Sequence, residues 1–160
     1  MVRSSKTEAS SARQNERRLV ERVLRHWTQA AAGKRFPRRN EIDPWMVGED
    51  WANCVVIAVH SPVQLSHFVA AGENLAVALC PRDTLAGLLL SYLPPVLSAR
   101  RPLITEGEAA LRDVPILYRA ALLPLSDDSI AIDHVLGAAN LRTLSVGEPA
   151  TTRVVRNRWI

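Results

Sequence analysis

The hydrophobic and polar positions of this chain follow a helical period near its start. In residues 15–34 (NERRLVERVLRHWTQAAAGK) apolar side chains recur three or four positions apart, while charged side chains occupy much of the opposite side. This spacing predicts one amphipathic helix. Residues 1–14 are polar and poor in hydrophobic side chains, which predicts a disordered basic tail ahead of the helix.

Further along, the pattern changes to short runs of apolar and β-branched residues that are bounded by turn residues. Such runs predict strands. The interval between the second and the third run predicts helices, which Pro94 and Pro95 bend or break. Asp43 and Pro44 are a typical helix start and predict a short helical turn ahead of the first strand. The predicted strands span residues 53–60, 65–72, 101–112, 114–125 and 129–144, and the predicted helices span residues 72–80 and 82–101.

The order of these elements predicts a single α+β domain over residues 15–144. Five antiparallel strands form one sheet in this prediction, with the crossover helices on one of its faces and the amphipathic helix ahead of it. Residues 145–160 show no comparable pattern and are predicted to be a basic C-terminal tail.

The apolar stripe of the N-terminal helix has two interpretations. It includes Leu19, Val23 and Trp27, which follow one another at four-residue intervals and therefore share a helix face. The stripe either packs onto the chain's own sheet or forms an interface with another chain, and one helix can do both. We predict that these three residues form a dimer or partner interface.

The formal net charge of +4 is unevenly distributed. Residues 1–40 contain 11 lysines and arginines and 3 glutamates, residues 41–152 contain 6 arginines and 13 acidic residues, and residues 153–160 contain three arginines. Basic ends on an acidic body can hold a phosphate backbone. A nucleic-acid-associated protein is therefore the alternative functional class. Only Phe36 accompanies the basic segment 35–39, which argues against binding of single strands by stacking.

The stretch 123–138 (LPLSDDSIAIDHVLGA) places three aspartates and a histidine in an apolar run. If the run is a strand, Asp133 and His134 point to opposite faces, and Asp127 lies roughly 20 Å away along the extended chain. Asp127 and Asp128 are typical of a hairpin tip. The sequence therefore predicts no metal site here.

His134 keeps a possible role by itself. In the predicted strand it shares a face with Ile130, Ile132 and Leu136, so that it lines a cavity between the sheet and the helices or is a hydrogen-bonded core histidine. The predicted ligand-pocket residues are His134, Tyr118 and His67.

Motifs for catalysis and for cofactor binding are missing from the sequence. It contains no phosphate-binding glycine loop, no GxGxxG and no GxSxG nucleophile motif. Cys54 and Cys80 stand in no CxxC or other metal-type spacing. We therefore predict a protein that is not an enzyme and that holds neither a metal nor a cofactor.

Two segments resemble a PAS-like domain family that is common in alphaproteobacteria. The opening segment follows the pattern W, then G-(K/R)-x-x-P-x-R-x-x-I-D-P, and the closing PLSDDS resembles the PLSDDG turn of the family's last hairpin, with Ser129 in place of the glycine. The two segments enclose residues 18–142. The opening pattern falls on Trp27, Gly33, Pro37, Arg39, Ile42, Asp43 and Pro44, and the closing one includes Asp127 and Asp128.

The resemblance implies a PAS fold, in which five antiparallel strands take the spatial order 2-1-5-4-3 and short helices lie on one face. It implies a structural role for Pro37, Arg39, Asp43, Pro44, Asp127 and Asp128. Haem-binding PAS domains carry a histidine on the crossover helix, and residues 82–100 contain none. The sequence around Cys80 does not match the N-C-R-F-L-Q helix of the flavin-binding members. Neither cofactor is expected.

PAS domains bind small ligands, pair with other PAS domains or regulate signalling enzymes. We therefore predict a cytoplasmic sensory or regulatory protein of signal transduction that acts by protein–protein interaction, with a small apolar ligand as a further expectation. The expected partners are a second copy in a homodimer and a PAS-containing sensor histidine kinase or another signalling protein. The N-terminus lacks the apolar region of a secretory signal. No apolar stretch reaches the roughly 18 to 20 residues of a membrane span.

Overall fold

A computed structural model describes the backbone of residues 4–76, 84–145 and 155–160, and the side chains of residues 18–75, 84–145 and 155–160. Short 3-10 helices at residues 39–41, 48–53 and 63–65 connect the regular elements. The helices are α1 (Ser4–Ala31), α2 (Pro44–Val47), α3 (Glu73–Ala76), α4 (Leu85–Ser91) and α5 (Leu93–Ala99), and the strands are β1 (Cys54–Ala58), β2 (His67–Ala71), β3 (Leu103–Leu111), β4 (Val114–Leu125), β5 (His134–Thr143) and β6 (Arg156–Trp159).

All of these strands belong to one antiparallel sheet in the order β2-β1-β5-β4-β3-β6. The predicted α+β class is confirmed, but the predicted sheet lacks one strand. β6 pairs with the outer edge of β3, where Leu103 lies opposite Trp159 and Glu106 lies opposite Arg156. The sequence of β6, RNRW, has no apolar alternation, so it gave no strand signal. The predicted C-terminal tail therefore contributes to the domain, and residues 146–154 of it lie outside the described residues.

Helices cover both faces of the sheet, whereas the sequence analysis predicts crossover helices on one face only. α1 packs on the face that carries Val56 and Leu136, and α4 and α5 pack on the face that carries Val55 and Leu122. Every residue of β1 is buried. A continuous apolar run such as CVVIA is typical of a strand that is covered on both sides.

The N-terminal helix is longer than predicted. α1 begins at Ser4, so most of the predicted disordered tail is helical, and residues 1–3 lie outside the described residues. Residues 4–17 contain neither glycine nor proline and are rich in good helix formers such as alanine, arginine, glutamine and glutamate. Formation of the first helical turn is the unfavourable step. Residues 18–31 of α1 are held in a helix by packing on the sheet, so the helix only has to extend toward the N-terminus from there.

The predicted dimer stripe is part of the chain's own core. Leu19, Val23 and Trp27 retain 4%, 0% and 7% of their exposure because α1 presses them against the sheet. The indole Nε1 of Trp27 donates a hydrogen bond of 2.8 Å to the carbonyl of Pro124 in β4. The prediction that these three side chains form an interface with a second chain is therefore wrong for this fold, because the sheet already covers them.

The crossover from β2 to β3 is helical, as predicted. The Oγ1 of Thr84 accepts a hydrogen bond of 3.0 Å from the backbone N–H of Gly87 and caps α4. Pro94 lies in the first turn of α5, where a missing N–H costs little. Residues 77–83 lie outside the described residues. Among the described helices, none has both the length and the apolar character needed to cross a bilayer.

Candidate functional site

Tyr118 lies in the core between the sheet and the helices α4 and α5, on the inner face of β4. Its hydroxyl meets the hydroxyl of Tyr92 at 2.5 Å. Burial, reinforced by this hydrogen bond, raises the pKa of Tyr118 well above its ordinary value. The hydroxyl is therefore protonated at neutral pH, and the contact ties the junction of α4 and α5 to the sheet.

The two histidines predicted to line a pocket lie elsewhere. His67 is exposed on β2, an outer strand, where its ring stacks on His60 with centroids 5.1 Å apart. His134 is the first residue of β5, and its Nδ1 lies 2.7 Å from the carboxylate of Asp133. The three predicted pocket residues therefore do not come together: His67 faces solvent on an outer strand, His134 lies where the loop joins β5, and Tyr118 is in the core.

Asp127, Asp133 and His134 come together, although the sequence analysis predicts that a strand separates them. β5 begins only at His134, and residues 126–133 form a loop that brings its two ends together. One ligand atom from each of the three side chains lies within 4.8 Å of the other two. The prediction failed because it applied the alternation of a strand to residues that form a loop.

Hydrogen bonds within the loop account for this convergence. One carboxylate oxygen of Asp133 accepts the backbone N–H of Asp127 at 2.8 Å, and the other lies against the ring of His134. A carboxylate oxygen of Asp127 in turn accepts the backbone N–H of Arg39 at 3.2 Å. These contacts engage the atoms that would coordinate a metal, so we assign the cluster to loop structure.

Asp128 organises the tip of the same loop. Its Oδ1 accepts the backbone N–H groups of Ile130 and Ala131, each at 2.8 Å, and the hydroxyl of the buried Ser126 at 3.1 Å. The backbone hydrogen bond from Ile130, followed by that from Ala131, holds the pKa of Asp128 below its ordinary value. Asp128 is therefore a turn residue, as its position at a hairpin tip predicts.

The two motif segments of the sequence meet in space. The backbone N–H of Ser126 donates to the carbonyl of Pro37 at 3.0 Å, close to the contact between Arg39 and Asp127. Pro37 and Arg39 belong to the connector, residues 32–47, which follows α1 and includes α2. Within it, Asp43 caps α2 by accepting the N–H of Trp45 at 2.9 Å, and Pro44 occupies the first helical position. The connector that follows α1 is thus seated on the loop that precedes β5.

A pocket of about 420 Å³ opens at the place where β5 continues past the start of β1. The pairing of the two strands ends with Cys54 opposite Ala138, so the following residues of β5 have no β1 neighbour. The pocket lies between this free edge, the helices α3 and α4, and the turn that joins β3 to β4. It is lined by Asn53, Asn74, Leu75, Thr84, Leu85, Leu111, Arg112, Ala139, Asn140 and Leu141.

The lining is amphipathic, with four leucines facing a set of amide, hydroxyl and guanidinium groups. The side chains of Asn53 and Asn74 hydrogen-bond each other at 3.2 Å. The amide oxygen of Asn140 is buried and has no hydrogen-bond partner among the described residues. Because this oxygen has almost no accessible surface, a ligand in the pocket does not reach it.

Sequence reasoning did not find this pocket. Asn53 precedes a strand, Asn74 begins a helix and Asn140 lies within a strand, and each is ordinary in its own segment. Only the sheet register and the crossover bring them to one opening. No signal in the linear pattern identifies them.

Comparisons of this chain with known protein families, with curated proteins and with solved structures gave no match.

Proposed function

We propose that this protein is a PAS-like, cytoplasmic regulatory domain that acts by binding rather than by catalysis. The strand order supports the proposal, since β2-β1-β5-β4-β3 is the spatial order 2-1-5-4-3 of a PAS fold, with a helical crossover between β2 and β3. This order is the main support because strands that follow one another in the chain are usually neighbours in the sheet. Here β1, β5 and β4 lie between β2 and β3, which is an uncommon arrangement.

The loop before β5 adds a second support. Ser129 has a φ of 64°, which is the left-handed region that favours glycine. The PAS-like family has a glycine at the matching position of its PLSDDG turn. The backbone conformation at this position therefore agrees with the family pattern even though the residue does not.

We assign the ligand to the pocket between β5, α3 and α4. Its volume falls within the range of about 300 to 1,000 Å³ that is typical of small-molecule sites. The sequence predicts an apolar ligand, but the side-chain amides of Asn53 and Asn74 favour a small amphipathic molecule with a polar group that can hydrogen-bond to an amide. α4 packs on the sheet through Leu89, so a ligand held between α4 and β5 is placed to shift the helix.

Native mass spectrometry of the purified protein tests this assignment, together with a thermal-shift screen of small polar metabolites. A ligand at 100 times its Kd stabilises the protein by about 2.7 kcal/mol, which raises the Tm by roughly 5 to 10 °C for a domain of this size. The variant Asn74→Trp fills the pocket from an exposed helix position and abolishes the shift. Its matched control is Glu73→Trp, which alters the exposed neighbour outside the pocket lining.

The regulatory role is tested with a PAS-containing histidine kinase encoded in the same genome. We expect the autophosphorylation rate of the kinase to change when this protein is added, and the change to depend on ligand in the original protein but not in Asn74→Trp. A protein that carries no small molecule and shows no thermal shift with any metabolite would contradict the ligand assignment. An unchanged kinase rate would contradict the partner assignment.

A second candidate function is nucleic-acid binding through the basic ends. One observation favours it, because a salt bridge of 2.8 Å between Arg158 in β6 and Glu21 in α1 places the two ends side by side. Electrophoretic mobility shifts over a series of salt concentrations test it. Phosphate contacts give an affinity that falls steeply with salt, and Arg156→Glu reduces that slope. Absence of binding at low salt would exclude this function.

A further inference from the structure

Two large apolar side chains point outward from α2. Trp45 and Met46 are 92% and 71% exposed, while Val47 of the same helix is buried. The helix is fixed at its start by the Asp43 cap and by Pro44, so the two side chains stand on a rigid base. Single exposed apolar residues are common, but an adjacent tryptophan and methionine in solvent are typical of an interaction site.

A pocket lies directly beside this pair. It has a volume of about 170 Å³ and is bounded by α1, the connector and α2, and Met46 forms part of its wall. A cavity of about 150 Å³ is large enough to hold a benzene ring. Its lining combines apolar and polar side chains, which are His26, Gln29, Ala30, Glu41, Ile42, Asp43, Met46 and Val47. The protruding ring of Trp45 and an opening of about the size of a ring are therefore neighbours on one surface.

This juxtaposition fits the geometry of a symmetric pair. In a two-fold interface the same patch is used by both copies, so each copy must carry both the protruding group and its receptor. We propose that this chain forms a symmetric dimer in which Trp45 of each copy occupies the pocket beside Met46 of the other. The mixed lining suits an indole, whose ring is apolar and whose N–H needs an acceptor such as the carboxylate of Asp43.

The charges around the patch support a second copy as the occupant. On α1, Arg25 lies one turn before Gln29 of the pocket. Asp43, at the start of α2, lines the same pocket. Neither Arg25 nor Asp43 takes part in an ion pair with another of the described residues. A two-fold axis between α1 and α2 brings Arg25 of one copy toward Asp43 of the other, so the charges of the patch complement each other across the axis.

The size of the patch predicts a dimer of moderate affinity. Two buried indoles contribute roughly 300 to 500 Å², since each aromatic side chain buries roughly 150 to 250 Å². A standard interface totals about 1,200 to 2,000 Å², so contacts around the two indoles have to supply the remainder. Tryptophan anchors at the centre of such interfaces carry a large share of the affinity, and truncation of Trp45 is expected to raise the dimer Kd by about 30-fold or more.

Sedimentation equilibrium over a wide range of protein concentration tests the proposal. We expect the average mass to rise with concentration from 17.7 kDa toward twice that value. Trp45→Ala keeps the protein monomeric through the range in which the original protein dimerises, and Arg25→Glu weakens the dimer as well. The matched control is Ile130→Ala, which removes a side chain that is 74% exposed but lies outside the patch.

Circular dichroism of each variant verifies that the fold is intact, as expected for changes at exposed positions. A protein that stays monomeric at every concentration would overturn the proposal, and Trp45 would then be a candidate contact for a different protein. A dimer that Trp45→Ala does not weaken would overturn it as well and move the interface to another surface. The ligand pocket shares no lining residue with this patch, so either result leaves the proposed ligand site unaffected.

Discussion

Replacement of Trp27 tests how α1 is held on the sheet. Its ring is buried between α1 and the strands, and its indole N–H donates to the carbonyl of Pro124. The ladder between β3 and β4 ends with Leu103 opposite Leu122, so Pro124 lies beyond the last β3 partner. The indole therefore supplies a donor at a point where the neighbouring strand has ended.

Two substitutions separate the contributions of packing and of the hydrogen bond. Trp27→Ala leaves a cavity in the α1 face of the core and is expected to lower the free energy of unfolding by about 3 to 5 kcal/mol. Trp27→Phe keeps most of the apolar contact but leaves the Pro124 carbonyl without its donor, which costs about 1 to 3 kcal/mol. For a domain whose total stability is about 5 to 15 kcal/mol, the alanine variant is close to the limit of folding.

Urea unfolding followed by far-ultraviolet circular dichroism measures both losses. The midpoint should fall with an unchanged slope, and the loss should be the same at low and at high protein concentration. Gln29→Ala, an exposed change on the same helix, should stay within about 0.5 kcal/mol. A loss below about 1 kcal/mol for Trp27→Ala, or a loss that depends on protein concentration, would refute the assignment of Trp27 to the chain's own core.

Three further predictions concern other parts of the fold. Gly72→Ala places a Cβ 1.9 Å from the carbonyl oxygen of Trp51 and should lower the free energy of unfolding by about 1 to 3 kcal/mol, which thermal unfolding measures. Burial raises the pKa of the Cys54 thiol to about 12, so peptide mapping after alkylation near neutral pH should find Cys54 unmodified in the native protein and modified in urea. Hydrogen bonds hold the pKa of Asp128 in the folded protein below 3.8. The stabilisation by its carboxylate is therefore present above the pKa of the unfolded state and is lost as the pH falls through the pKa of the folded state. The difference in urea midpoint between the original protein and Asp128→Ala should accordingly disappear on acidification.

The parts of the fold that the sequence predicted are those set by local patterns. Segment 114–125 is a strand with the predicted bounds, and the bend near Pro94 divides the crossover into two helices. Asp43 and Pro44 begin a helix because capping and a fixed φ act within one turn. In each case the information lies within a few residues of the element that it determines.

The features that the sequence did not predict depend on contacts between residues that are far apart in the chain. β6 is a strand because β3 has a free edge, and RNRW carries no pattern of its own. The stripe of α1 could be recognised as apolar, but whether Trp27 meets the sheet or a second chain depends on the layer that covers the sheet. Asn53 and Asn140 lie at one pocket because of the register between β1 and β5. Local chemistry defines none of these contacts.

The coverage of the sheet also constrains where a partner can bind. A PAS-like sheet with helices on one face would leave its other face open to a partner, but here α1 occupies that face with Val20 and Val23 fully buried. Among the described parts of the chain, the surfaces open to a partner are the outer sides of α1, α4 and α5, the edge strands β2 and β6, and the connector. Of these, the connector combines a rigid base with large exposed apolar side chains at Trp45 and Met46. It also joins α1 to the loop before β5 through Pro37 and Arg39, so a contact at Trp45 is mechanically linked to the centre of the sheet.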